Sequence, residues 1–181
     1  MMKEKCQWYP VYTNPRAEKK AFELLTVKGI ETYLPLQKTL KQWSDRKKIV
    51  EEPYIKSYLF VKITPAQHTH VLTTRGICRF LYFSGKIASM PDRQIDDLKL
   101  LFASETDFEL TERTFQAGEA VRVCAGPLLG LRGELVTVLS QKKLLVRVQH
   151  ISQSILVQVP TAFLESMETK MDLKKGLLVE G

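Results

Sequence analysis

Cysteine and histidine are scarce in this chain of 181 residues, three of each. Cys6, Cys78 and Cys124 stand far apart, with no CxxC pair among them. So few and so scattered thiols fit neither a disulfide framework nor a zinc site, and they are expected to be buried and reduced. His68 and His70 are close neighbours and His150 is remote. The first two fall in a segment read as helical, where residues two apart diverge, so no metal site is expected. Long apolar runs are missing too; none approaches the ~20 residues that span a bilayer. The opening MMKEKCQWYPVY has no continuous apolar core and no small-residue cleavage site, so no signal peptide is expected. The reading is of a cytoplasmic protein with no membrane contact, cofactor or metal.

Catalytic signatures are absent as well. The stretch AGEAVRVCAGPLLGLRGELVTV, residues 117–138, carries three glycines, Gly126, Gly130 and Gly133, and invites comparison with a phosphate loop. A Walker loop started at Gly126 would need its second glycine where Leu131 stands, and no lysine follows. A dinucleotide fingerprint would have to open a helix, whereas here the glycines separate two β-branched runs. The carboxylates Glu51, Glu52, Asp92, Asp96 and Asp97 sit among lysines, as solvated faces do. Nothing argues for an enzyme; the chain reads as a binding protein.

What it does carry is positive charge. Lysines and arginines outnumber acids 27 to 20, a formal net charge of +7, and a basic excess commonly serves an acidic partner such as nucleic acid. The cations cluster: Lys38, Lys41, Arg46, Lys47 and Lys48 form one group, and Arg16, Lys19 and Lys20 another.

Along the chain, the aromatic run at 8–12 reads as a strand. Pro10 lacks an N–H, so this strand should lie at an edge or donate nothing there. Asn14-Pro15 reads as the cap and first position of a helix that stops at Gly29. A short strand at 30–36 leads into the basic segment, a hairpin or loop. The run at 51–63 is apolar on both faces, which predicts a central strand. Thr64-Pro65 starts a second helix ending before Gly76, a strand covers 77–83, and a third helix begins near Pro91 with Ile95, Leu98 and Phe102 on one face. Residues 106–116 are polar and acidic and read as a linker. Beyond them short strands recur at 120–124, 133–139, 144–149 and 154–159, the spacing of a small antiparallel barrel. The expected organisation is α+β: an α/β sandwich at 1–105, an all-β barrel at 117–168, and a flexible tail at 169–181. A second domain that small buries little surplus over chain entropy.

Four segments taken in order, WYPVYTNPRAEKKAFELL, PYIKSYLFV, TTRGICRFLYF and AGEAVRVCAGPLLGLRGELV, resemble the NusG family of transcription elongation factors. The resemblance runs from about Trp8 to Glu165. It implies an N-terminal NGN domain and a C-terminal KOW domain, an SH3-like barrel in which G-P-x-x-G-x-x-G turns between the first two strands. WSDRKKIVEEP followed by SYLFV is similar to the specialised UpxY-type, RfaH-like antiterminators of capsular polysaccharide operons. The family pattern carries proline-glycine or proline-asparagine before the central tyrosine; here Lys56-Ser57 stands instead.

The resemblance implies that Tyr12, Tyr58 and Phe60 line a pocket for the clamp helices of the RNA polymerase β′ subunit. His68 and Thr69 fall where a second contact, to the β subunit, would lie. Arg16, Lys19, Lys20 and Arg75, with Arg46, Lys47 and Lys48, would meet the non-template DNA strand or nascent RNA. Gly126, Pro127, Leu128, Leu129, Gly130 and Gly133 form the KOW turn, whose leucines (Leu131 included) either face a partner, such as a ribosomal protein or another factor, or cap the barrel core. A monomer is expected. Two other readings stand beside this one: a general NusG elongation and termination factor, and an RNA- or ribosome-binding KOW module.

Overall fold

The computed structural model describes residues 5–167 and divides into two compact units, Met1–Phe102 and Ala103–Gly181. The tail expected at 169–181 lies outside the described residues. In the first unit the elements are β1 (Gln7–Thr13), α1 (Glu18–Val27), β2 (Glu31–Tyr33), β3 (Leu36–Gln42), β4 (Lys47–Pro53), β5 (Tyr58–Ile63), a one-turn 3₁₀ helix running into α2 (His68–Leu72), β6 (Ile77–Phe80), β7 (Tyr82–Phe83), β8 (Lys86–Ile87) and α3 (Asp92–Ala103). β2, β5, β1 and β6 form an antiparallel sheet in that order, whereas among the described residues β3 pairs only with β4 and β7 only with β8.

Alternation along the sheet makes two packed faces. Tyr9, Val11, Leu59, Val61, Ile63 and Phe80 form one core with Ala21 and Leu25 of α1 and Val71 of α2. On the other face α3 covers one end: Lys99 lies 5.2 Å from the Trp8 ring and 5.5 Å from Tyr33, and Phe102 stacks on Tyr54 at 4.5 Å. β5 is central, as its apolar faces predict. β1 is central too, despite Pro10. β6 begins its pairing at Val11, and two residues before Pro10, on the same side of the strand, the Trp8 carbonyl accepts from the Met90 N–H. Pro10 therefore sits between the two contacts, where no donor is asked for.

Other expectations are refined. Asn14-Pro15 does not begin the helix; a turn closed by the Ala17 N–H on the Asn14 carbonyl (3.0 Å) precedes it, and Ala17 is the N-cap. Gly29, at φ +74°, ends α1 as read. The run at 51–63 is interrupted after Pro53 and resumes at Tyr58. The thiols are not buried: Cys6, Cys78 and Cys124 are all exposed. Cys78 lies on an edge strand, where apolar neighbours in sequence do not guarantee cover, and bonds Asn14 Oδ1 at 2.8 Å.

The second unit is β9 (Phe108–Thr111), β10 (Glu119–Val123), β11 (Arg132–Val138), β12 (Gln141–Val148), β13 (Gln153–Val157) and β14 (Leu164–Ser166). They form one sheet in the order β14-β10-β11-β12-β13-β9. Residues 106–116, read as a linker, thus contain a strand. Leu110 pairs with Ile155 and Thr111 with Ser154, and the buried edge of β13 gives this polar segment its ladder partners.

One polar cluster ties this unit together. Glu134 accepts from Arg147 Nε at 2.7 Å and Nη2 at 3.0 Å and from the Gly118 N–H at 3.0 Å. Arg147 Nη2 also donates to the Phe115 carbonyl. The Arg147 hydrogen bond holds the Glu134 carboxyl below its ordinary 4.5, with Gly118 adding to it and desolvation opposing. A depressed carboxylate contributes stability above its unfolded value and loses it as pH falls through the lower folded one. The second unit should therefore lose melting temperature as pH drops below about 4.5, and Glu134→Gln should flatten that fall. Equal slopes for the two proteins in thermal melts would refute the assignment.

Candidate functional site

Three sequence-distant segments meet at the end of the first sheet where β1 leaves and β5 and β6 enter. Tyr12 pairs across the sheet with Tyr58 on one side and Arg79 on the other. The two tyrosine rings meet edge to face at 5.3 Å, and the Arg79 guanidinium lies 5.5 Å from the Tyr12 ring. Both rings are half-buried and Arg79 is exposed. The result is an aromatic surface with a cation resting on it, beyond the end that α3 covers.

Phe60 differs from the other two. It has no exposed surface and stacks on Tyr33 at 6.1 Å. It supports the patch from within and cannot touch a partner in this conformation. Burial raises the Tyr33 phenol above its usual range, with Tyr54 adding to the shift, so the packing beside Phe60 stays uncharged over physiological pH.

The turn before Tyr58 answers the question raised by Lys56-Ser57. Ser57 has φ +62°, a left-handed backbone that glycine or asparagine adopts more readily. Two bonds hold it: its N–H donates to Glu18 Oε1 at 2.7 Å, and its carbonyl accepts from the Thr13 N–H at 2.9 Å. Glu18 is buried at the start of α1, so the helix fixes the residue preceding Tyr58.

Next to this patch lies a basic loop pair. The Asn14 N–H bonds the Gly76 carbonyl at 2.9 Å, which joins the β1–α1 loop to the α2–β6 loop. A Cβ on Gly76 would meet Ala17 Cβ at 3.1 Å, so the close approach needs glycine. This brings exposed Arg16 and Arg75 to one end of the sheet, with Lys19 and Lys20 on the adjoining turn of α1. Arg16 itself has φ +65°, and Lys20 pairs with Glu23 at 3.1 Å.

Arg46, Lys47 and Lys48 lie elsewhere, exposed at and beside the tip of the β3–β4 ribbon. His68 is on the opposite face of the sheet from Tyr12, half-buried with its ring 5.0 Å from Tyr9 and 4.9 Å from Phe80. Thr69 beside it is exposed. The expected pocket and the expected second contact are thus on different faces.

In the second unit, Gly126–Leu131 makes two successive tight turns between β10 and β11: the Leu129 N–H bonds Gly126 O and the Leu131 N–H bonds Leu128 O. Gly126 and Gly130 have φ +80° and +91°, and Pro127 is exposed between them and the leucines. Leu128 and Leu131 are buried while Leu129 is 62% exposed. The leucines therefore divide between core and surface. Gly133 is not in the turn; it lies within β11.

Sequence reading missed Arg79, Tyr82 and Phe83. The last two are each 66% exposed on the β7–β8 hairpin, which turns at Ser84 and Gly85 with positive φ. Two aromatics beside a Ser-Gly turn were a usable signal for an exposed hairpin. Among the described residues no cluster of three His, Cys, Asp or Glu side chains has metal-binding geometry. No helix among them is long and apolar enough to cross a membrane.

The family model described as "Transcription termination factor nusG" matches residues 6–99. Among solved structures, NusG of Thermotoga maritima, studied for its domain interaction, is similar at 18% identity over 90% of this chain and 98% of that one, with a TM-score of 0.51. The MjSpt4:Spt5 complex in conformation A matches at 14% identity over 88% of this chain and 97% of that one, with a TM-score of 0.28, below fold-level likeness. No curated protein matches the sequence.

Proposed function

The chain belongs to the NusG family of non-enzymatic transcription factors, and from that premise we propose that it is an antiterminating elongation factor of the specialised UpxY kind. The first unit, read as an NGN domain, docks on the clamp helices of bacterial RNA polymerase through Tyr12, Tyr58 and Arg79, with Tyr82 and Phe83 as further apolar contacts. Arg16, Lys19, Lys20 and Arg75 then lie along the non-template DNA strand. A factor that binds the closed clamp better than the open one shifts the population toward the closed, pause-resistant state by its differential affinity. The second unit, read as a KOW barrel, offers Leu129 to a ribosomal protein or another factor.

The observation that carries this reading is the convergence of a half-buried aromatic pair and a basic loop pair at one sheet end. Half-buried aromatics in a site centre are the residues whose truncation removes most binding energy. Tyr12→Ala/Tyr58→Ala should weaken binding to RNA polymerase at least ~30-fold while leaving the far-ultraviolet circular dichroism unchanged. Unchanged affinity, or no binding by the wild-type chain, would overturn the proposal. A general elongation and termination factor is the second reading, favoured by the description of the family that matches. Rho-dependent termination in a reconstituted assay separates the two: stimulation means the general factor, and read-through at selected operons, those of capsular type, the specialised one.

A further inference from the structure

Among the described residues the β3–β4 ribbon pairs with no other strand, and an isolated two-stranded ribbon is marginally stable in water. It nonetheless exposes large apolar side chains: Leu40 at 61%, Trp43 at 54% and Ile49 at 65%. Its cross-strand register is equally costly. Lys41 stands directly opposite Lys48, and like charges so placed repel. Thr39/Val50, Lys41/Lys48 and the closing pair Trp43/Arg46 share one face of the ribbon. Glu52 binds Lys41 and Asp45 lies 4.0 Å from Arg46, but Lys19, Lys38, Lys47 and Lys48 make no ion pair among the described residues.

This face is continuous with the basic loops. An open groove of about 670 Å³ is bounded by Lys19, Lys41, Trp43, Lys48 and Val50. A second, of about 550 Å³, is bounded by Arg16, Lys19, Lys41 and Lys56. Lys19 and Lys41 belong to both, and so do the carboxylates Glu51 and Glu52.

We infer that single-stranded DNA follows this track from Arg16 past Lys19 and Lys41 to the ribbon, where one unpaired base stacks on Trp43. Cations spaced along a groove and ending at an exposed aromatic are what a single strand requires, phosphates on the charges and a base on the ring. Bound phosphate also relieves the repulsion between Lys41 and Lys48. The inference rests on the reading of the first unit as lying beside melted DNA, and it adds a base-stacking site remote from the Tyr12–Tyr58 patch.

The chain has two tryptophans, and Trp8 is only 3% exposed, so quenching by a bound base reports on Trp43. The full chain is titrated with a thymidine oligonucleotide of about 15 residues, in parallel with Trp43→Phe, Trp43→Ala, Lys41→Gln/Lys48→Gln, Arg16→Ala/Lys19→Ala and a charge-matched control, Lys86→Gln/Lys142→Gln. Expected are saturable quenching that Trp43→Phe abolishes and an affinity loss of roughly 5- to 100-fold in Trp43→Ala. The log–log salt slope should be shallower by about 1.4 in the Lys41/Lys48 variant and less affected in the control. If Arg16→Ala/Lys19→Ala weakens binding while Trp43→Ala does not, the DNA contact of the proposed function stands and this inference falls. If stacking on Trp43 is found but the wild-type chain fails to bind polymerase, the inference stands and the proposed function falls. Tighter binding of the matching uridine oligomer or of duplex DNA, or a Trp43→Ala defect in binding DNA-free polymerase, overturns it.

Discussion

Replacing Phe60 with alanine should unfold the first unit rather than strip it of a partner. Its ring is fully buried against Tyr33 in a central strand, and a truncated core phenylalanine costs about 3–5 kcal/mol, the lost transfer energy plus the cavity left behind. Domains of this size have total stabilities of about 5–15 kcal/mol, so the variant should melt far below the wild type or express poorly. Tyr58→Ala, two residues away and half-buried, should retain the fold. Thermal melts of the two variants decide the matter: a Phe60→Ala protein as stable as wild type would mean that the ring is not core. A binding experiment that combines Tyr58→Ala with Phe60→Ala would therefore confuse loss of contact with loss of structure.

Gly133→Ala should be as damaging in the second unit. A Cβ there would stand 2.6 Å from the Leu145 carbonyl oxygen and 2.8 Å from Leu144 Cδ1, closer than real contacts allow. The carbonyl belongs to the neighbouring strand and cannot retreat without opening the Glu134–Leu145 register. Overpacking of a backbone at this distance should cost more than about 3 kcal/mol, beyond the range of ordinary single substitutions. A small unit has little margin to absorb it. Gly130→Ala provides the contrast. Its Cβ meets nothing within 4 Å, and only the φ of +91° opposes it, a strain of roughly 1–2 kcal/mol. Amide spectra of the second unit should collapse for Gly133→Ala and persist for Gly130→Ala; the reverse order would refute the close approach.

What was legible in the sequence, and what was not, follows one physical division. Strand β5 was readable because both its faces are apolar, and α1 ended at Gly29 because left-handed backbone is cheapest there. Phe60 and Tyr58 were not distinguishable. They alternate on the same face, and what separates them is where α3 and Tyr33 stop covering that face, a tertiary matter. Cys78 misled for a similar reason, since exposure on an edge strand depends on which strand lies beside it. The polar run at 106–116 hid a strand because only Phe108 and Leu110 alternate as apolar residues there, and the ladder offered by β13 completes it. Gly133 looked like a third turn glycine; its need arises from Leu144 and Leu145, distant in sequence. In the candidate site, Tyr12, Tyr58, Arg16 and Arg75 came from motif resemblance, but their convergence depends on the Asn14–Gly76 bond that joins two loops.

Pro10 has a bearing on how the sheet assembles. A slip of β6 along β1 by one residue would turn its apolar side chains outward, and patterning alone forbids that. A slip by two residues keeps every side chain on its proper face, so patterning is blind to it. It would set Arg79 opposite Pro10 instead of Tyr12 and ask the proline for an N–H it does not have. The missing donor thus disfavours a misregistered sheet that hydrophobic sorting would accept, and it helps keep the arginine over the tyrosine ring.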